Sequence, residues 1–384
     1  MLTKDNTKQQ KGIAILLMII HHLFILEERI PVGYKYITGI TISNMDLIDI
    51  CASFGKICVS MFMFLGGYGI FKSVVRNIDG SIVIKNDLAK RIVNLYCSYW
   101  KVFLVFIPIG FIWFDSCTVT CSNVDFGTRF SIFSFQEFVS NFFAWDISYS
   151  GEWWFFKTYL FTLFIGYVFM QLFKNRNQIY LELSVIILYH IIITNIYSIA
   201  SSTPALHSLL GNVFFTNLVA NNEYSVLFLV GILFAKYNIF SNWNMLIEKI
   251  NIFEKIVLST LLMIATVYLR VFIFPIAMDL LLVPIFIFAT MLFINVTKVL
   301  KKPLLILGNN STNMWLIHSF YCYYFYPIPK FIYGFEQPLI SIAVLLIMSF
   351  ISSILLDKFW NIIGIIYHKL SLTISWTQKI INKI

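Results

Sequence analysis

Stretches of apolar residues long enough to cross a bilayer recur along the whole chain, near 12–26, 54–71, 94–114, 153–173, 179–198, 224–238, 253–271, 275–296, 311–326 and 338–357. A helical span needs about 20 residues at 1.5 Å each to cross a hydrocarbon core of about 30 Å. The stretches at 12–26, 224–238 and 311–326 fall short of that, and the first two are expected to draw on their flanks. The fold expected is an all-α integral membrane protein of about ten transmembrane helices. Composition agrees: 59% of residues are apolar and 12% are charged, against about 25% charged in a soluble domain. Residues 1–358 are expected to form one transmembrane domain. Residues 359–384 alternate apolar and basic residues and are expected as an amphipathic helix on the cytoplasmic surface. The moderately apolar stretch 205–219 reads as a re-entrant or interfacial piece.

The 28 Lys and Arg residues report topology. With the N-terminus inside and sides alternating, the internal segments hold twenty of them, Lys4 to Lys11, Lys72 to Arg91, Lys174 and Arg176, Lys236 to Lys255, Lys298 to Lys302, and Lys358 to Lys383. The external loops hold five, Arg29, Lys35, Arg129, Arg270 and Lys330; Lys56, Lys101 and Lys157 fall inside spans. Cytoplasmic loops carry the basic excess, so both termini are expected inside. The net charge of +9 is thus a topology signal. No basic stripe interleaved with aromatics marks a nucleic-acid surface. The first apolar run ends in Glu27-Glu28-Arg29 without a small-x-small cleavage site, so it reads as an uncleaved helix. Six cysteines are too scattered for a disulfide framework, although Cys117 and Cys121 share an expected external loop where a bond is one option. The long outer loops, about 27–53 and 115–152, are candidates for a lid or an acceptor-binding surface.

Chemistry concentrates where polar residues enter spans, because ionisable groups there are costly and mark function by default. His21 and His22 stand ten and eleven residues after Lys11, which a helix converts to about 15–17 Å, near the bilayer centre. Adjacent positions point about 100° apart. One imidazole can face a cavity while the other packs, and a neutral imidazole can serve as a general base on a hydroxyl. Lys90-Arg91 opens the third span; these cations suit phosphate recognition or simply the positive-inside rule. Gly151-Glu152-Trp153-Trp154-Phe-Phe-Lys157 opens the fourth, where Glu152 and Lys157 can orient a hydroxyl or pair with each other. In the ninth, Ser311 is placed to cap the helix and His318 lies two turns further in. Lys56 is expected to snorkel and His190 to pack. The histidines lack zinc-site spacing, and there is no P-loop, dinucleotide fingerprint or nucleophile elbow.

Taken in order, Lys11-Gly-Ile-Ala-Ile-Leu-Leu-Met-Ile-Ile-His21-His22, Val59-Ser-Met-Phe-Met-Phe-Leu-Gly-Gly-Tyr68-Gly, Lys90-Arg91, Glu152-Trp-Trp-Phe and Gly308…Ser311…Trp315-Leu-Ile-His318 resemble the membrane-bound acyltransferase 3 family over about residues 10–357. The resemblance implies ten spans in a bacterial plasma membrane. It also implies transfer of an acyl group, usually acetyl from acetyl-CoA, to a hydroxyl of an extracytoplasmic polysaccharide or other glycan. It marks His22 as the catalytic candidate with His21 beside it, and Arg91 with Lys90 and Lys11 as contacts for the acyl-CoA donor. Glu152, Trp153, Lys157 and His318 are candidates for the acceptor side. No metal and no permanently bound cofactor are implied. The sequence departs from the family pattern at Gly66, Asn94 and Cys97, where serine, a second arginine and proline are usual. Since the chain ends soon after its tenth span, transfer is expected to finish within the membrane domain or with a partner protein. The competing expectation is a polysaccharide or lipid-linked sugar exporter without transferase activity, because charges inside spans serve translocation equally well.

Overall fold

A computed structural model describes residues 2–31, 33–36, 39–78, 81–114, 120–121, 124–125, 129–212, 222–273 and 278–381. Its principal helices are α1 (Lys4–Phe24), α2 (Leu47–Gly55), α3 (Ile57–Val74), α4 (Leu88–Trp113), α5 (Phe135–Phe142), α6 (Trp154–Phe173), α7 (Ile179–Ser202), α8 (Asn222–Lys236), α9 (Ile239–Leu246), α10 (Ile252–Tyr268), α11 (Asp279–Thr297), α12 (Lys301–Ser319) and α13 (Pro338–Ile381). Three two-stranded antiparallel hairpins, absent from the sequence reading, join them; the largest pairs Val75–Ile78 with Ser81–Ile84 between α3 and α4.

Among the described residues, seven helices are long and apolar enough to cross a membrane, and eight if the pair α8–α9, bent by 62°, counts as one span. This is fewer than the ten expected. The two remaining segments are α1 and α12, and their polar content has a structural reason. Both turn buried polar side chains toward other helices. Gln10 on α1 is fully buried and its Oε1 accepts from Thr290 Oγ1 at 2.8 Å; Ser311, Asn313 and His318 on α12 are likewise buried. α1 starts eight residues before the apolar run because Thr3 caps it: its Oγ1 accepts from Asn6 N, and Asn6 Oδ1 accepts from Thr3 N.

Glycines set how closely the interior helices approach. A Cβ at Gly308 would lie 1.8 Å from the Lys8 carbonyl oxygen, and one at Gly12 would lie 2.3 Å from that of Leu304. The same reciprocity joins α3 and α8, where Gly67 meets Phe228 O at 1.9 Å and Gly231 meets Phe64 O at 2.1 Å. Only a residue without a side chain permits backbones this close, and such contacts drive helix association in lipid. α1 and α12 run in the same direction, since His22 and His318 meet further along both. α13 continues unbroken from Pro338 to Ile381, past the expected boundary at 358. The possible Cys117–Cys121 bond, part of the 205–219 stretch and the last three residues lie outside what is described.

Candidate active site

His21 and His22 end α1. His21 Nδ1 lies 2.8 Å from the Ala52 carbonyl oxygen, which can only accept, so Nδ1 carries the proton. His22 Nδ1 lies 3.1 Å from the Tyr323 hydroxyl, whose single proton is donated to the His22 carbonyl. That hydroxyl must therefore accept from His22 Nδ1–H, leaving the lone pair on Nε2. His318, fully buried, donates Nδ1–H to Trp315 O at 2.6 Å, and its Nε2 has no partner. His22 stands in the middle, with ring centroids 5.2 Å from His21 and 4.8 Å from His318. Three imidazoles thus converge with their basic nitrogens unspent. Among the described residues no three His, Cys, Asp or Glu gather in a way that could hold a metal ion.

The residues facing them come from a break in helical regularity. After Ser319, α12 continues as a π-turn, Phe320–Tyr324. At 100° per residue Tyr323 would stand about 140° around the helix from His318. The wider i→i+5 turn brings both to one face, where Tyr323 meets His22 and Tyr324 meets Glu152. Glu152 sits in the 3₁₀ turn Gly151–Trp153 that opens α6. Its Oε1 accepts from Arg29 Nη1 at 3.0 Å and its Oε2 from the Tyr324 hydroxyl. Arg29 also lies 4.5 Å over the Tyr323 ring. Burial works against the Arg29 charge, but Tyr323 and Glu152 outweigh it and hold the guanidinium more firmly protonated than usual. Glu152→Gln keeps the shape and removes the charge. Because Glu152 is buried while Arg29 is partly exposed, the expected loss is about 2 kcal/mol, below the 3–5 of a fully buried pair. A thermal melt of the detergent-solubilised protein measures it; an unchanged midpoint would show the pair to be idle.

Two cavities open beside this cluster. The larger, about 360 Å³, is lined by His21, His22, Lys56, Glu152, Trp154 and Tyr224 among others. The smaller, about 130 Å³, is lined by Lys11, Gly66, Leu95, Tyr159, Ser311 and Thr312. Phe62, Phe155 and Trp315 line both and form the partition between them. The pair of cavities therefore follows α1 from Lys11 to His22, a rise of about 16 Å.

Of the residues singled out from sequence, the structure brings His21, His22 and Glu152 to the larger cavity and Lys11 to the smaller. Of the other donor and acceptor candidates, Lys90, Arg91, Trp153, Lys157 and His318 line neither. Arg91 is paired with Asp87 through Nε at 2.9 Å and Nη2 at 3.1 Å, and also reaches Tyr167 and Ser73. Burial works against the charge on Asp87, yet the bonds from Arg91 and Tyr167 hold its carboxyl below the usual range. Lys90 is exposed. Trp153 is fully buried, donating Nε1–H to Leu316 O at 3.1 Å; its neighbour Trp154 is the one at the cavity. Lys157 is half-buried, and Glu152 pairs with Arg29 rather than with it. His318 backs His22 from behind. The sequence reading missed Tyr323 and Tyr324, which belong to a run of tyrosines inside a span, and Arg29, counted only as a loop charge. It also read Lys56 as a snorkelling residue, although a charge within a span was itself the signal.

No curated protein and no solved structure matches the chain. A family model described as an acyltransferase domain matches residues 10–358, nearly all of it. The histidine cluster at the end of α1, the cavity beside it and this match lead to one conclusion: the chain is a membrane protein with several apolar helices and belongs to the acyltransferase 3 family.

Proposed function

We propose that this membrane acyltransferase moves an acetyl group from acetyl-CoA to a hydroxyl of a cell-surface polysaccharide or lipid-linked glycan, in a bacterial plasma membrane with both termini cytoplasmic. The observation that carries the reading is the His22 tautomer. Tyr323 fixes the proton on Nδ1, leaving a base at Nε2 in a side chain that lines a chamber continuous in its walls with a second cavity at Lys11. The donor enters past Lys90, Arg91 and Lys11, with its thioester beyond the partition of Phe62, Phe155 and Trp315. The acceptor enters from the Arg29–Glu152 side. The acceptor oxygen bonds to the thioester carbon as its proton passes to His22 Nε2. The carbon–sulfur bond then breaks, and the CoA thiolate takes that proton back, leaving His22 neutral.

The test is transfer of label from radiolabelled acetyl-CoA to envelope glycan by membranes expressing the chain. Glycan export without labelling would replace this reading with that of an exporter. Arg91 bears on the donor. Its Nε and Nη2 are committed to Asp87, leaving Nη1 for a phosphate. Arg91→Lys is expected to raise the KM for acetyl-CoA about tenfold, the value of one charge-assisted contact of about 1.4 kcal/mol, with kcat nearly unchanged. Steady-state kinetics against acetyl-CoA concentration decide it.

A further inference from the structure

Attack on a thioester carbonyl places a negative charge on its oxygen, and a site that accelerates the step needs a donor already aimed at that charge. The proposed reaction supplies a base in His22 but no such donor. His21 and His22 each use their single N–H, on Ala52 O and the Tyr323 hydroxyl. Glu152 is an acceptor, saturated by Arg29 and Tyr324. Among the described residues lining the chamber, the cation is Lys56. The geometry points to Lys56 as the group that holds the oxyanion, an inference that rests on the acyl-transfer reading above and completes it.

Three observations support this. First, Lys56 occupies the junction between α2 and α3, and that junction is built rather than incidental. On the α2 side, buried Arg270 donates Nη1–H to the carbonyls of Ser53 at 3.0 Å and Phe54 at 3.5 Å. On the α3 side, Ser60 Oγ donates to Asp279 at 2.6 Å. Arg270 and Asp279 are themselves joined by two bonds, at 2.7 and 3.2 Å. One clamp thus fixes the chain before and after Lys56. Second, the junction is pressed against the histidine turn. A Cβ at Gly55 would lie 2.5 Å from Leu17 O and 3.0 Å from His21 Cβ, so glycine there keeps Lys56 level with His21. Third, Lys56 has no carboxylate or hydrogen-bond partner among the described residues. It is at once the C-cap of α2, an end that favours a cation, and the N-cap of α3, an end that disfavours one, so the two helix ends offset each other. An unpaired ammonium within an apolar helical segment is costly, and no ion pair accounts for it. A developing oxyanion in the chamber does.

The step balances. As the acceptor oxygen bonds to the carbonyl carbon, the C=O electron pair moves to oxygen and the acceptor proton to His22 Nε2. Lys56 Nζ donates a hydrogen bond to the oxyanion and keeps its proton. When the C=O bond re-forms, the C–S bond breaks and sulfur leaves with the proton from His22.

The experiment uses membranes carrying the full chain, radiolabelled acetyl-CoA as donor and the membranes' own glycan as acceptor. Lys56→Met is expected to lower kcat about 10²–10³-fold, the loss on removing one oxyanion donor, with the KM for acetyl-CoA within about threefold. Lys56→Arg is expected to retain activity within about tenfold. A kcat for Lys56→Met within threefold of wild type, or a loss carried by KM alone, would overturn the inference. So would the larger kcat loss falling on Trp154→Phe, since an indole N–H would then be the donor. If Lys56→Met does not accumulate in membranes, Lys56→Gln takes the same measurement. Failure of both neutral variants to accumulate would assign Lys56 to folding and reject the catalytic role. Wild-type membranes that transfer no label would instead defeat the underlying acyl-transfer reading.

Discussion

Membranes carrying His22→Ala are expected to transfer label from acetyl-CoA at least about 10³-fold more slowly than wild type, with the protein present in equal amount. A positioned general base contributes about 10²–10⁴-fold, and alanine removes the whole group. The fold should tolerate the change, because His22 borders a cavity and its lost bond to Tyr323 leaves that hydroxyl still donating to the His22 carbonyl. The contrast with His21→Ala sharpens the test. Both imidazoles line the chamber with Nδ1 protonated. His22, however, stands between His21 and His318, and the expected loss at His21 is about tenfold. Equal losses, or a greater one at His21, would move the base to His21.

Gly308→Val is expected to remove the folded protein rather than its chemistry. The added Cβ would sit 1.8 Å from the Lys8 carbonyl oxygen. The clash is with backbone, so no rotamer relieves it and α1 and α12 must separate. Overpacking a tight core costs about 1–3 kcal/mol when side chains can adjust; here they cannot, and the cost is expected above that range. Separation would also part His22 from His318. The checks are monodispersity in detergent and a thermal midpoint lowered by about 10 °C or more. Gly69→Ala, where an added Cβ meets nothing within 4 Å, is the matched control. A Gly308→Val protein as stable as that control would show that the α1–α12 contact is not what holds the site together.

Residues near in the chain are read well from sequence because their relation is local. The helix carrying Lys11 to His22 converts eleven residues into a fixed rise, and both ends do meet cavities. The start of the fourth span likewise brings Glu152 to the chamber. Within that same motif, the sequence points to Trp153 for the acceptor side, whereas Trp154 is the ring that lines the chamber. Which of two adjacent rings faces a cavity depends on the 3₁₀ turn ahead of α6, and no hydrophobic pattern encodes that turn. Seven or eight helices pass on length and apolarity alone, and α1 and α12 carry amides, hydroxyls and histidines on faces that other helices cover.

The sequence by itself determined that the chain is helical and membrane-bound, where its helices run, and that His21 and His22 are an adjacent polar pair at the end of an apolar run. These follow from bilayer thickness and helix rise, which act on each segment separately. The tertiary structure alone decided the partners: Tyr323 beside His22 at a separation of 301 residues, Arg29 with Glu152 at 123, and Arg270 clamping the turn that presents Lys56 from 217 residues away. Such pairings depend on which helices pack together and on a π-turn that rotates two tyrosines into the site, and no local property of the chain specifies either.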